Sequence, residues 1–333
     1  MANLLPIVLA LLFTTLLLLL VGAPPLEAFA RIWYGAFGAA DKSADVFSAW
    51  VPLTLCAAGL LITFTAGLWN IGIEGQVVMG AIGATAVVRA LPDWPAPLII
   101  PALFICGAAG GAAWAMLTGA LKTYGKVHEI FGGLGLNFVA FALTNYLIFG
   151  PWKQPGGATM SGTEFFPPAA WLPTFAAVRL SPLALALGLV VLVIVWLSLR
   201  GTLWGLKLRA VGKNARSAFL LGIRTRRHLM LAFALCGVCA GLAGAVQAAG
   251  LFHRLLPSIS SGYGYLAILV VLLAGFRALW AAPIALFFAA LSLGSRQLQL
   301  DLQIDSSFGG VLQGVMVLFV VIAQGIRARR SAR

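Results

Sequence analysis

The chain has 333 residues, 61% of them hydrophobic, with 22 Lys and Arg against 9 Asp and Glu. Charged residues make up 9%, where a soluble domain holds about a quarter, so an ordinary water-soluble enzyme is excluded. The net charge of +13 does not require nucleic acid, because the basic residues sit in the connections between apolar runs, where the cytoplasmic bias of Lys and Arg accounts for them.

A membrane helix needs about 20 mostly apolar residues. Ten runs meet or approach that length: 4–22, 53–69, 71–91, 97–121, 129–149, 182–199, 229–250, 263–276, 279–295 and 308–326, the eighth being short. The first lacks a basic leader and a small-residue cleavage pattern, so it reads as a span and not a signal peptide. Arg200, Lys207, Arg209, Lys213, Arg216, Arg224, Arg226 and Arg227 fill one connection that holds no acid, and Arg327, Arg329, Arg330 and Arg333 close the sequence. Asp41, Asp45, Asp93, Glu164, Asp301 and Asp305 fall in the other set of connections. With ten spans the parity closes, placing both termini, 122–128, 201–228 and Arg277 in the cytoplasm. The expected fold is an all-α integral membrane protein of about ten transmembrane helices with broken or re-entrant segments, a single domain over 1–333. The polar connection 23–51 and the Pro- and Gly-rich loop 150–181, with Pro151, Pro155, Gly156, Gly157, Pro167, Pro168 and Pro173, belong outside.

Two segments interrupt the apolar pattern. In the first, Gly67-Leu-Trp-Asn-Ile-Gly-Ile-Glu-Gly-Gln76, three glycines, an amide pair and a carboxylate stand where a lipid-facing helix would be costly, so the segment faces the interior. Asn70 is placed to cap the following helix, with Glu74 in the first turn, where a carboxylate suits the helix dipole. Glu74 and Gln76 either pin this break by hydrogen bonds to neighbouring helices or contact a polar solute. The second is Pro257-Ser-Ile-Ser-Ser-Gly-Tyr-Gly-Tyr265 before the short eighth run. Paired helix breaks are a recurrent transporter device, although glycines beside aromatics also serve tight packing, as the Gly237, Gly241, Gly244 series does.

In the basic connection, Asn214 is placed as an N-cap, followed by roughly two helical turns and Gly222 as a stop. This short helix is expected to expose Ala215, Ala218, Phe219 and Leu221 between Arg216 and Arg224, and to dock into a partner's groove or lie on anionic lipid.

Catalytic signals are missing. No GxxxxGK[ST] phosphate loop occurs, and 119–126 has the wrong spacing with Val127 after it. Cys236 and Cys239 form a CxxC inside an apolar helix with no second ligand pair, Cys56 and Cys106 also lie in apolar runs, and His128, His228 and His253 are scattered at span ends. The chain is therefore not expected to be an enzyme, to hold a metal or to carry a cofactor of its own.

Four stretches carry a resemblance: GLWNIGIEGQVVMGAIGA at 67–84, EIFGGLGLNFVAFALTNYL with GPW after it at 129–152, LRAVGKNARSAFLLGI at 208–223, and the run at 262–276 with its two tyrosines. They resemble the permease subunits of bacterial ABC importers for nucleosides and simple sugars, in the branched-chain amino acid and ribose permease superfamily. The likeness spans roughly 50–324, and the EGQ at Glu74 to Gln76 with Leu136 and Asn137 is similar to the larger of two paralogous nucleoside permeases. The chain departs from relatives at Gly132, Gly133 and Gly135. The resemblance implies a multi-pass protein of the bacterial inner membrane that works with cytoplasmic ABC ATPase subunits, which bind the ATP and magnesium. It also implies a second permease, a paralogue or an identical copy, and an external solute-binding lipoprotein. The segment Asn214, Ala215, Ala218, Phe219 and Gly222 looks like the family's coupling helix. For the solute path, amides and flat aromatics are the candidate contacts: Trp69, Asn70, Glu74, Gln76, Asn137, Asn145, Gln247, Tyr263 and Tyr265. Simple sugars and branched-chain amino acids are the alternative cargoes. A stand-alone ion-coupled carrier or channel calls for several intramembrane carboxylates, and only Glu74 lies clearly inside; an inert scaffold leaves both breaks unexplained.

Overall fold

In a bilayer the backbone satisfies its polar groups within each segment, so long apolar runs become helices. The computed structural model describes residues 5–20, 22–153, 162–175, 178–302 and 308–331. Pro155, Gly156, Gly157, Asp305 and Arg333 lie outside the described residues, as do the side chains of Arg327, Arg329 and Arg330. The helices in order are α1 (Leu5–Leu20), α2 (Pro25–Phe37), α3 (Ala40–Thr65), α4 (Ile73–Ala90), α5 (Ala96–Thr123), α6 (Glu129–Phe149), α7 (Pro182–Gly201), α8 (Leu203–Lys213), α9 (Ala215–Leu220), α10 (Thr225–Val246), α11 (Tyr263–Leu273), α12 (Ala278–Gly294), α13 (Arg296–Leu302) and α14 (Phe308–Ser331). A π-helical stretch, Gln247–Phe252, extends α10.

Each of the ten apolar runs lies on one of these helices. Among the described residues, six stretches, Ala40–Thr65, Ala96–Thr123, Glu129–Phe149, Pro182–Gly201, Thr225–Phe252 and Ala278–Leu302, are long and apolar enough to cross a membrane alone. The connection 23–51 is not the polar loop expected from the sequence: it holds α2 and the first turns of α3. Its acids and lysine mask a helical pattern in which Ala28, Ile32 and Ala36 are buried while Leu26, Trp33 and Tyr34 stay exposed. This helix lies against α12 and α13, with Arg31 paired to Asp301 at 3.0 Å.

Burial separates central from peripheral helices. The apolar window of α3 is 89% buried, whereas those of α6 and α7 are 22% buried and turn most of their apolar surface outward. Trp50 Nε1 donates to the Ala282 carbonyl at 2.8 Å and ties α3 to α12. The helices α4, α5 and α10 cross one another through glycine. A Cβ on Gly80 would overlap the Gly241 backbone, one on Gly111 would overlap the Gly237 carbonyl, and one on Gly107 would come within 2.8 Å of Ala245 Cβ. The glycine series of α10 is thus a packing surface, where backbones approach because no side chain intervenes.

Candidate functional site

The first break turns at Gly67, whose φ of +72° is open to glycine at little cost, and runs to Gly72, the residue before α4. Gly72 caps α4 without a side-chain bond, so Asn70 is not the N-cap expected from its spacing. Its amide turns inward instead. Asn70 Nδ2 donates to Gln76 Oε1 at 3.1 Å and Gln76 Nε2 returns a bond to Asn70 Oδ1 at 3.0 Å. The same Nδ2 donates to Cys236 Sγ at 3.1 Å, fastening the break to α10. A paired amide in an apolar interior outcompetes a cap because both its ends are satisfied away from water.

Across this break lies α6, brought close by glycine. A Cβ on Gly133 would sit 2.6 Å from the Gly72 nitrogen, so that position is held to glycine, whereas Gly135 has nothing within 4 Å. The close approach lets Asn137 Oδ1 accept the Gly75 N–H at 2.8 Å, while its Nδ2 donates to the Ile71 carbonyl and to the Tyr265 hydroxyl, both at 3.0 Å.

The second break, 257–262, is a run of turns that ends where α11 begins. With 11 residues, α11 is about 16 Å long, half a membrane span, so its N-terminus lies within the bundle. Glu74 occupies that end. Its Oε2 accepts the Tyr265 N–H at 3.2 Å, and the Ser260 hydroxyl and the N–H groups of Gly262 and Gly264 are within its reach. A carboxylate that is 2% exposed thereby meets the unpaired donors and the positive dipole end of a half-helix. Gly264 makes this possible, since any Cβ there would overlap the carboxylate.

The other candidate residues fall in different places. Gln247 is buried at the start of the π-helical stretch, with Nε2 donating to the Ile259 carbonyl and Ser261 Oγ, both at 3.3 Å, so it braces the second break from α10. Tyr263 is buried at the head of α11. Asn145 stands exposed on the outer side of α6, and the structure does not bring it to the cluster. Trp69 and Tyr265 are 42% and 40% exposed, the members of the cluster that reach its surface, and Trp69 packs edge-on against Phe64 at 5.1 Å. Three contributors were not among the sequence candidates: Ser260, Cys236 and Glu129. Glu129 is buried at the start of α6 and pairs with Lys122 at 2.6 Å. An acid at the first position of an apolar span was the available signal for Glu129; Cys236 carried none.

At the end of α8, Asn214 Oδ1 accepts the Ser217 N–H at 3.0 Å and caps the six-residue α9, which ends before Gly222 at φ +80°. Ala215 and Phe219 are exposed as expected, but Ala218 is 2% exposed: it is the foot on which the helix rests, and the outward tip is Phe219, Leu220 and Leu221 at 66%, 78% and 79%. Six residues make fewer than two turns, and Ala218, four residues past the cap, lies on the face of the helix that is turned inward.

Membrane-length helices, two broken segments joined through a buried polar cluster and an exposed apolar helix tip are the features of a multi-pass membrane permease. The chain belongs to the family described as branched-chain amino acid transport system / permease component, whose model matches residues 44–321. It is similar to the guanosine ABC transporter permease protein NupP of Bacillus subtilis, at 28% identity over 97% of this chain and 93% of that one. It is similar at 28% identity to the glucose ABC transporter permease protein TsgB13 of Haloferax volcanii, over 94% of this chain and 84% of that one. The nucleoside ABC transporter permease protein NupB of Lactococcus lactis aligns at 26% identity over 86% and 80%. The solved structure of PsaBC from Streptococcus pneumoniae in complex with Fab aligns at a TM-score of 0.49 and 14% identity, over 89% of this chain and 95% of that one.

Proposed function

We propose that this chain is the translocating subunit of an ATP-driven importer of the bacterial inner membrane, with about ten spans and both termini in the cytoplasm, and that its cargo is a nucleoside. The observation that carries the reading is the near full-length similarity to a guanosine permease, at 97% of this chain. Within the chain, the exposed tip Phe219, Leu220 and Leu221 supports a partner ATPase as the source of ATP hydrolysis. A second permease and an external binding protein complete the assembly, and this chain binds no cofactor itself.

The polar groups of Asn70, Gln76, Glu74 and Asn137 are engaged with one another and with backbone. A passing solute therefore meets the exposed aromatic faces of Trp69 and Tyr265 before any amide. Flat aromatic surfaces suit a nucleobase by stacking, and the cluster behind them holds the pathway in shape. A sugar is the second reading, favoured by the glucose permease at equal identity.

Uptake of radiolabelled nucleosides and simple sugars into membrane vesicles carrying this chain with its ATPase, permease and binding-protein partners tests the proposal. ATP-dependent nucleoside uptake requiring every partner is expected. Sugar uptake alone would move the chain to the second reading, and uptake by this chain alone, abolished by an ionophore, would overturn the importer.

A further inference from the structure

The first break is attached at its near end to the segment that bears α9. Gly67 and Gly212 meet backbone to backbone: a Cβ on Gly67 would lie 2.9 Å from the Gly212 carbonyl oxygen, and a Cβ on Gly212 would overlap the Thr65 carbonyl. Gly212 is the last residue but one of α8, and Asn214, the cap of α9, follows two positions later. From Gly67 the chain passes in three residues to Asn70, which holds Cys236 and Gln76, and in seven to Glu74, which holds the head of α11. Two glycine backbones in contact have no side chain to flex, so a displacement of one is passed to the other.

We propose that the contact of Gly212 with Gly67 is the joint that conveys movement of α9 to the broken helix and its Glu74 latch, with Gly212 a positioning residue for transport. The inference rests on the importer reading above, because it needs an ATPase to move α9. It assigns to these two glycines a part separate from docking and from cargo contact.

The test uses the assembled transporter in proteoliposomes, with wild type, Gly212→Ala and Gly67→Ala, the second variant crowding the same contact from the other side and also straining the backbone at φ +72°. Two quantities are read: nucleoside carried per ATP hydrolysed, and the rate at which N-ethylmaleimide alkylates Cys236, measured by mass spectrometry with and without ATP plus vanadate. Cys236 is fully buried and bonded to Asn70, so its access reports movement of the break. In wild type the nucleotide is expected to change the alkylation rate at least threefold. In either variant that difference disappears and transport per ATP falls about tenfold, a pattern that lost stability alone does not produce. Variants that match wild type in both readouts would overturn the joint, as would a wild-type transporter whose Cys236 rate ignores nucleotide. If neither variant assembles, the wild-type Cys236 response decides. Absence of ATP-driven nucleoside uptake in the wild type would instead count against the importer reading.

Discussion

Glu74 Oε2 accepts the backbone N–H of Tyr265 at 3.2 Å, so a side chain from the head of α4 closes the head of α11, 191 residues further along. Each break alone leaves helix ends unsatisfied in an apolar interior: the head of α11 finds its partner in Glu74, and the Gly75 N–H at the head of α4 finds Asn137 of α6. Replacing Glu74 by Ala strands these donors at about 1–3 kcal/mol for each bond left unmade. E74A is expected to melt several degrees lower in detergent and to lose most uptake, with E74Q intermediate because one oxygen remains. Equal melting of E74A and wild type would show that the latch contributes nothing.

Asn137 joins α6 to both breaks through three bonds. Asn137→Leu keeps the branched outline of the side chain and leaves the Gly75 N–H without its partner, for a loss of roughly 2–3 kcal/mol. Thermal unfolding of the purified chain checks this, and a shift no larger than that of Asn145→Leu, at an exposed position, would contradict it.

The glycines before Asn137 should separate by position. Gly133→Ala presses a Cβ toward the Gly72 nitrogen and is expected to destabilise by about 1–3 kcal/mol, whereas Gly135→Ala meets nothing within 4 Å and leaves the melting temperature unchanged or slightly raised. Parallel thermal melts of the two variants give the comparison directly.

For the tip of α9, Phe219→Asp with Leu221→Asp should leave the membrane fold intact, because both side chains are exposed, and should weaken co-purification of the ATPase about 30-fold or more. Ala218→Asp, at a buried position, should instead unfold α9 itself, read as protease sensitivity near Arg216.

His253 supplies a pH dependence. It lies between the π-helical stretch and the second break in a left-handed backbone at φ 52°, stacked on Trp171 at 4.2 Å, with Nδ1 3.0 Å from the Ala249 carbonyl. Burial pushes its pKa below the ordinary 6.5, against the opposing pull of the Ala249 carbonyl, and Arg179 lowers it further. Because the unfolded chain then takes up the proton first, stability is complete above 6.5 and falls as the pH drops from there toward the lower folded value. His253→Asn tolerates the left-handed backbone and should flatten this slope in pH-dependent melts.

Much of this was legible in the order of residues. The apolar runs located the helices, since length and hydropathy act locally, and the glycines, amides and acid of 67–76 and 257–265 marked where helices break. The capping role of Asn214 could be read from spacing, because the Asn214–Ser217 bond spans three residues. The motifs at 67–84 and 208–223 pointed to the family that the match over 44–321 establishes.

What the sequence left open were the partners. Asn70 was a cap by spacing and became half of an amide pair because Gln76 and Cys236 came within 3.1 Å. Ala218 looked like surface until the short helix settled onto it, and 23–51 looked like loop until α2 found α12 and α13. Glu74 could have faced a solute or a neighbouring helix, and the fold gave it the head of α11. The reason is physical: periodicity and composition report what a residue avoids, water or lipid, over a few neighbours in the chain. The group that satisfies a buried polar atom is chosen by which backbones can approach, and here glycines on separate helices decide that.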